Sequence, residues 1–189
     1  MKNCKNESGR SMIEMLGVLA IIGVLSVGGI AGYSKAMTKY RINKTIEQIT
    51  LIAGNIRTFF APQKNFKGLN SFSGKIIKKA KLVPEDMIVN NSINDLWGGE
   101  IGLIGSDKGF TLHFIDGLPE EPCIEILSHD WSVAGVTYIA NHLQKDYLSA
   151  VPISIENAIK MCKEGYYTFY YDYDARAEYD LGDPYTLLE

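Results

Sequence analysis

Between residues 11 and 34 the chain carries a single charge, Glu14. The run at 15–31, Met-Leu-Gly-Val-Leu-Ala-Ile-Ile-Gly-Val-Leu-Ser-Val-Gly-Gly-Ile-Ala, is apolar throughout. With the uncharged residues 32–34 it has the roughly 20 residues that a bilayer crossing needs. A helix is the open segment that satisfies its own backbone in that setting. Beyond the run the pattern becomes one-sided. Ile42, Ile46, Ile49, Ala53, Ile56 and Phe60 step by three or four residues, which is one helical face. Lys39, Arg41, Lys44, Glu47, Gln48, Asn55 and Arg57 fill the other positions. Pro62 ends the pattern, because proline removes a donor and clashes inside a helix. The spacing therefore predicts one helix over 11–60, about 75 Å long at 1.5 Å per residue. Its first half is apolar all round and its second half has one stripe to bury. The expectation is that the first half protrudes and the second is the spine of a head.

The rest of the chain alternates short elements. Residues 63–94 show no strand pattern and are expected to connect spine to sheet, with a short helix at 75–83 before Pro84. Leu96-Trp97-Gly98-Gly99 suits a tight turn into a strand at 100–104. Ser106-Asp107-Lys108-Gly109 is a turn signal, and 110–115 alternates as the second strand of a hairpin. Further strands are predicted at 136–140 and 166–173, the latter with Tyr167, Phe169, Tyr171 and Tyr173 on one face. Helices are predicted at 120–127 and 155–163, with Ser154 capping the second. The fold class is α+β.

Charge narrows the functions. Lys and Arg number 19 against 22 Asp and Glu, a net charge of −3. That balance gives no basic surface of the kind a nucleic-acid partner requires. The acidic residues Asp172, Asp174, Glu178, Asp180, Asp183 and Glu189 read as a solvated C-terminal face. Their spacing does not match an EF-hand loop, so calcium is a minor alternative and no cofactor is expected. His113, His129 and His142 lack metal-ligand spacing, and no nucleophile, base and orienting group come together. An enzyme is not expected.

Glu14 is what a plain membrane anchor leaves unexplained, since a carboxylate in an apolar span is costly and asks for a partner. Lys2, Lys5 and Arg10 precede the span and place the N-terminus in the cytoplasm. The run is longer than a secretory signal's apolar region, which covers about 7–15 residues. Gly9-Arg10-Ser11-Met12-Ile13-Glu14, followed at once by the apolar run, resembles the type IV prepilin signature. The resemblance implies a helical spine packed on an antiparallel sheet. It also implies that prepilin peptidase cuts between Gly9 and Arg10 and methylates the new N-terminus on Arg10, where the family usually has Phe or Met. Glu14 then becomes the fifth mature residue and pairs with the terminal amine of a neighbouring subunit. On this reading 1–9 is a leader, 10–61 the long helix with 11–34 as membrane span and later filament core, and 62–189 the head. Gly17, Gly23, Gly28, Gly29 and Gly32 then serve close helix packing, local melting on passage from lipid to filament, or both. The chain has three cysteines. If the leader carrying Cys4 is removed, Cys123 and Cys162 remain as one pair, bridged in an oxidising compartment or left as two buried thiols.

Trp97-Gly98-Gly99-Glu100-Ile101, Pro119-Glu120-Glu121-Pro122-Cys123 and a second cysteine on a late helix look like the type IVb branch, in which a disulfide closes the C-terminal region. The implied function is a structural subunit of a type IV pilus. Its partners are further copies in a helical filament, prepilin peptidase and the pilus assembly machinery. Its location is the inner membrane as precursor and then an extracellular filament. A minor pilin or type II secretion pseudopilin is the first alternative. A membrane-anchored periplasmic binding domain that never polymerises is the second.

Overall fold

A computed structural model describes residues 12–70, 77, 79–115, 118–141, 147–162 and 167–171. The chain divides into two compact units, Met1–Tyr40 and Arg41–Glu189. The first unit's described part is the beginning of helix α1, Met12–Phe60, a helix of 49 residues. The helix ends where the sequence requires: the next turn is a 3-10 turn at Ala61–Gln63 with Pro62 in it, and Lys64 then adopts a left-handed conformation.

The second unit holds the remainder of α1 and a seven-stranded antiparallel sheet. The strands are β1 (Ile88–Val89), β2 (Ser92–Asn94), β3 (Glu100–Gly105), β4 (Phe110–Phe114), β5 (Val136–Asn141), β6 (Tyr147–Ala150) and β7 (Tyr167–Tyr171). Their spatial order is β1-β2-β3-β4-β7-β5-β6. Its described residues also include two short helices, α2 (Glu120–Leu127) and α3 (Ile155–Met161). The hairpin of β3 and β4 turns at 106–109, where Ser106 and Gly109 pair through their backbones. Ser154 caps α3, its side chain accepting from the Asn157 amide. The α+β class and the long helix stand as expected.

β4 and β7 are the middle of the sheet, and their pairing sets the core. Leu112 faces Phe169 across the ladder, and Phe110 faces Tyr171 with stacked rings 4.5 Å apart. Phe66 bridges from the end of α1 to this stack, lying 5.9 Å from Phe60 and 5.1 Å from Phe110. Trp131 closes on Phe169 edge-on at 5.2 Å, and its indole N–H is satisfied by the Ile126 carbonyl. Such aromatic contacts add to the burial term that dominates folding.

Several expectations need correction. The 110–115 segment is read as alternating, yet all five residues of β4 are buried. On its second face Thr111 and Thr168 hydroxyls flank the His113 ring at 2.8 Å each, so polar side chains are buried as a satisfied trio. The connection at 63–94 contains the β1–β2 hairpin, whose strands are too short to show a period. Of the predicted helix at 75–83, Ile77 and Lys79 are helical while 80–83 is turn and coil, and the other members lie outside the described residues. β6 was not anticipated. The late helix stops at Met161, and Tyr173 lies outside the described residues.

The polar side of α1 is also less polar in environment than its pattern implies. Gln48 and Thr45 are buried with the apolar stripe. Asn55 donates to the Leu82 carbonyl. Arg57 donates to the carbonyls of Ala134 and Gly135 at 2.7 and 3.0 Å and lies over the Tyr171 ring. Arg57 thus ties the helix to the turn before β5 with charge-assisted bonds. Gly135 is at φ +78°, and a Cβ there would collide with the Arg57 guanidinium. We expect Gly135→Ala to cost about 2–3 kcal/mol, from the left-handed backbone and the displaced arginine together. Urea unfolding of the full chain in detergent micelles measures it, and an unchanged midpoint contradicts this role for Arg57.

Burial also raises the pKa of two phenols in β7. Tyr167 is pushed up to about 12, and Tyr171 is raised further by burial against a small opposing effect of Arg57. A raised folded-state value means that this stability is intact below the ordinary tyrosine range and is lost as pH rises toward the folded value. Above pH 10 we expect each buried phenol to cost about 1.4 kcal/mol per pH unit. Tyr167→Phe should flatten the alkaline limb of a stability-against-pH curve, and a limb identical to wild type would show that Tyr167 ionises freely in the fold.

Candidate assembly surface

Residues 12–34 are helical and exposed around the whole circumference. Met12, Ile13, Val24, Val27 and Ile30 are each at least 70% exposed. The window of α1 that is long and apolar enough to cross a membrane has none of its residues buried within the chain. An apolar surface of this extent on a soluble molecule marks contact with lipid or protein. Ser26 and Thr38 return their hydroxyls to the carbonyls of Ile22 and Ser34, so neither presents an unmet polar group. At Gly17, Gly23, Gly28, Gly29 and Gly32 an added Cβ meets nothing, so each glycine is a dent in the outer surface where another helix can approach closely.

Glu14 lies in the first turn of α1 and is exposed. That position favours a carboxylate, because the first-turn amides present partial positive charge. It also leaves the carboxylate open to a second molecule. Gly9 and Arg10 lie outside the described residues, as do His142 and the acidic positions Asp172, Asp174, Glu178, Asp180, Asp183 and Glu189.

The two head cysteines are brought together. Cys123 in α2 and Cys162 at the end of α3 form a disulfide with Cα atoms 5.8 Å apart. The bridge joins the two short helices that lie outside the sheet ladder. His113 is occupied by its two threonines. His129 lies edge-on to Trp131, 5.0 Å between ring centres. Among the described residues no group of three or more His, Cys, Asp or Glu is placed to hold a metal ion.

The 39–171 segment matches the family described as PilS N terminal. The chain belongs to that family. The match covers more than half of the chain, takes in the second half of α1 and every described strand, and makes this a pilus-related protein. It begins beyond the apolar run, so the PilS N-terminal assignment and the Gly9–Glu14 signature are independent observations. No curated protein and no solved structure matches the chain.

Sequence reasoning missed Asp95, which organises the turn into β3. Its Oδ1 accepts from the amides of Trp97 and Gly99, each at 2.8 Å, and Gly98 supplies φ +92°. The Asp-to-Gly spacing was the available signal. Arg41, off the apolar stripe and exposed, lies over the Trp97 ring at 5.6 Å.

Cross-linking α2 to α3 restricts the unfolded chain across a separation of 39 residues, which is worth roughly 3–4 kcal/mol by chain entropy. We expect Cys123→Ser with Cys162→Ser to lower the unfolding free energy by about that amount in detergent. An unchanged value, or two alkylatable head thiols in the exported wild-type protein, contradicts the staple.

Proposed function

We propose that this chain is a structural subunit of a type IV pilus. It is made as a precursor, cut after Gly9, methylated on Arg10 and polymerised through the apolar part of α1. It acts as a scaffold and not as an enzyme. The observation that carries the reading is the fully exposed apolar helix with one ionisable group, Glu14, in its first turn. Membership of a pilus-related family supports it. Before assembly the helix is covered by the inner membrane. In the filament, neighbouring copies take the place of lipid and the heads face outward. A carboxylate in that low-dielectric bundle is tolerated when an opposite charge meets it. The amine released on Arg10 of an adjacent subunit is such a charge, and it exists only after cleavage. Glu14 then sets axial register, because other offsets leave it unpaired.

Glu14→Ala tests this reading. Removing the charge makes the span more apolar, so insertion and cleavage should persist. Filament number should fall at least about tenfold, the cost of leaving the partner amine uncompensated being several kcal/mol. Electron microscopy of sheared surface material gives the number. Filaments of normal number and length would refute the pairing and favour the minor-subunit or non-polymerising reading.

A further inference from the structure

The face of the head formed by α2 and α3 carries a shallow groove of about 440 Å³. Glu120, Glu121, Ile124, Glu125, Ser128 and Ile155 line it. Its floor is apolar, formed by Ile124 and Ile155, and Ile155 is 65% exposed. Its rim is anionic. Among the described residues neither Glu120 nor Glu121 has a cation within salt-bridge distance, whereas Lys44, Lys67, Lys81 and Lys160 each sit by an acid of their own. The Cys123–Cys162 bridge ties the two helices that form the groove, so it is presented as a fixed shape. An apolar floor with carboxylates along one side selects a cationic amphipathic segment.

The chain carries such a segment. On α1, Gly32, Lys35, Ala36 and Lys39 follow one another at helical spacing, and all four are exposed. The small residues let an apolar floor approach the helix backbone, and the lysines flank them. Lys35 and Lys39 are one turn apart, as are Glu121 and Glu125, so the two charge rows have the same repeat of about 6 Å. We propose that, in the filament, the groove between α2 and α3 of one subunit takes the Gly32, Lys35, Ala36 and Lys39 face of a second copy. The inference rests on the filament reading above and deepens it by naming the partner surfaces. The contact is lateral and lies beyond the apolar bundle. It makes filament formation sensitive to ionic strength, since rim charges are screened by salt.

The test uses the full-length chain in an assembling host. Glu121→Lys and Lys35→Glu, each alone, should lower sheared filament yield about tenfold at low salt, because like charges then oppose across the contact. The double variant should recover most of the loss. The membrane pool and the head disulfide should be unchanged in all three. A single variant that assembles as wild type, or a double variant no better than the singles, overturns the proposal. So does a Lys35→Glu defect confined to membrane insertion with Glu121→Lys normal, which would place Lys35 at anionic lipid headgroups. A photo-crosslinker at Ala36 in otherwise wild-type filaments gives a second readout: cross-links to peptides of α2 or α3 are expected, and cross-links found only elsewhere overturn it. Wild-type filaments with neither result leave the pilus reading standing and this contact wrong. If the wild-type chain makes no filament, both fall.

Discussion

A helix that is apolar around its whole circumference needs cover on every side, from a protein core or from lipid. Residues 12–34 of α1 are in that position, and every part of the functional reading depends on it. The apolar area demands a low-dielectric environment, and that environment in turn makes the lone carboxylate of Glu14 expensive unless it is met. Lipid satisfies the first demand. A bundle of like helices satisfies it too, and adds a site where a charge can be met by another. The glycines along the same segment present dents that suit close helix approach.

The second half of α1 solves a different problem with the same geometry. Ile42, Ile49, Ile52, Ile56 and Phe60 are buried in one cluster with Phe110, Leu112 and Phe169 of the sheet. Arg57, with its guanidinium on two carbonyls and its face on Tyr171, locks the helix to the turn before β5. The disulfide fixes α2 and α3, which the sheet ladder does not hold. The result is a head with fixed external features, the acidic groove among them, which is what a repeating subunit needs if its contacts are to recur identically along a filament.

The long helix, its end before Pro62, the β3–β4 hairpin and the two short helices were legible because each carries a strong local signal. Period, proline, turn chemistry and cap residues all act within a few positions. What escaped depended on distant partners. Gln48 and Arg57 look like solvent positions, yet Gln48 is buried and Arg57 reaches the carbonyls of Ala134 and Gly135, 77 and 78 positions away. His113 looks like an outward strand residue until Thr168, 55 positions away, supplies its second partner. β1 and β2 are two and three residues long and leave no periodicity to read. The groove was invisible for the same reason: Ile124 and Ile155 line it from two helices far apart in the sequence. For the assembly surface itself, the sequence showed the apolar span and Glu14, while the exposure of every side of the helix came from the structure.

The claim that this chain polymerises after removal of a leader is tested most directly by the N-terminus of assembled material. Surface filaments, sheared and purified, can be digested and their N-terminal peptide identified by mass spectrometry. The account predicts a peptide that starts at Arg10, carries one added methyl group on its amine and contains Glu14. Assembled material that begins at Met1 or Lys2 would contradict it, because the amine proposed to meet Glu14 would then not exist at Arg10.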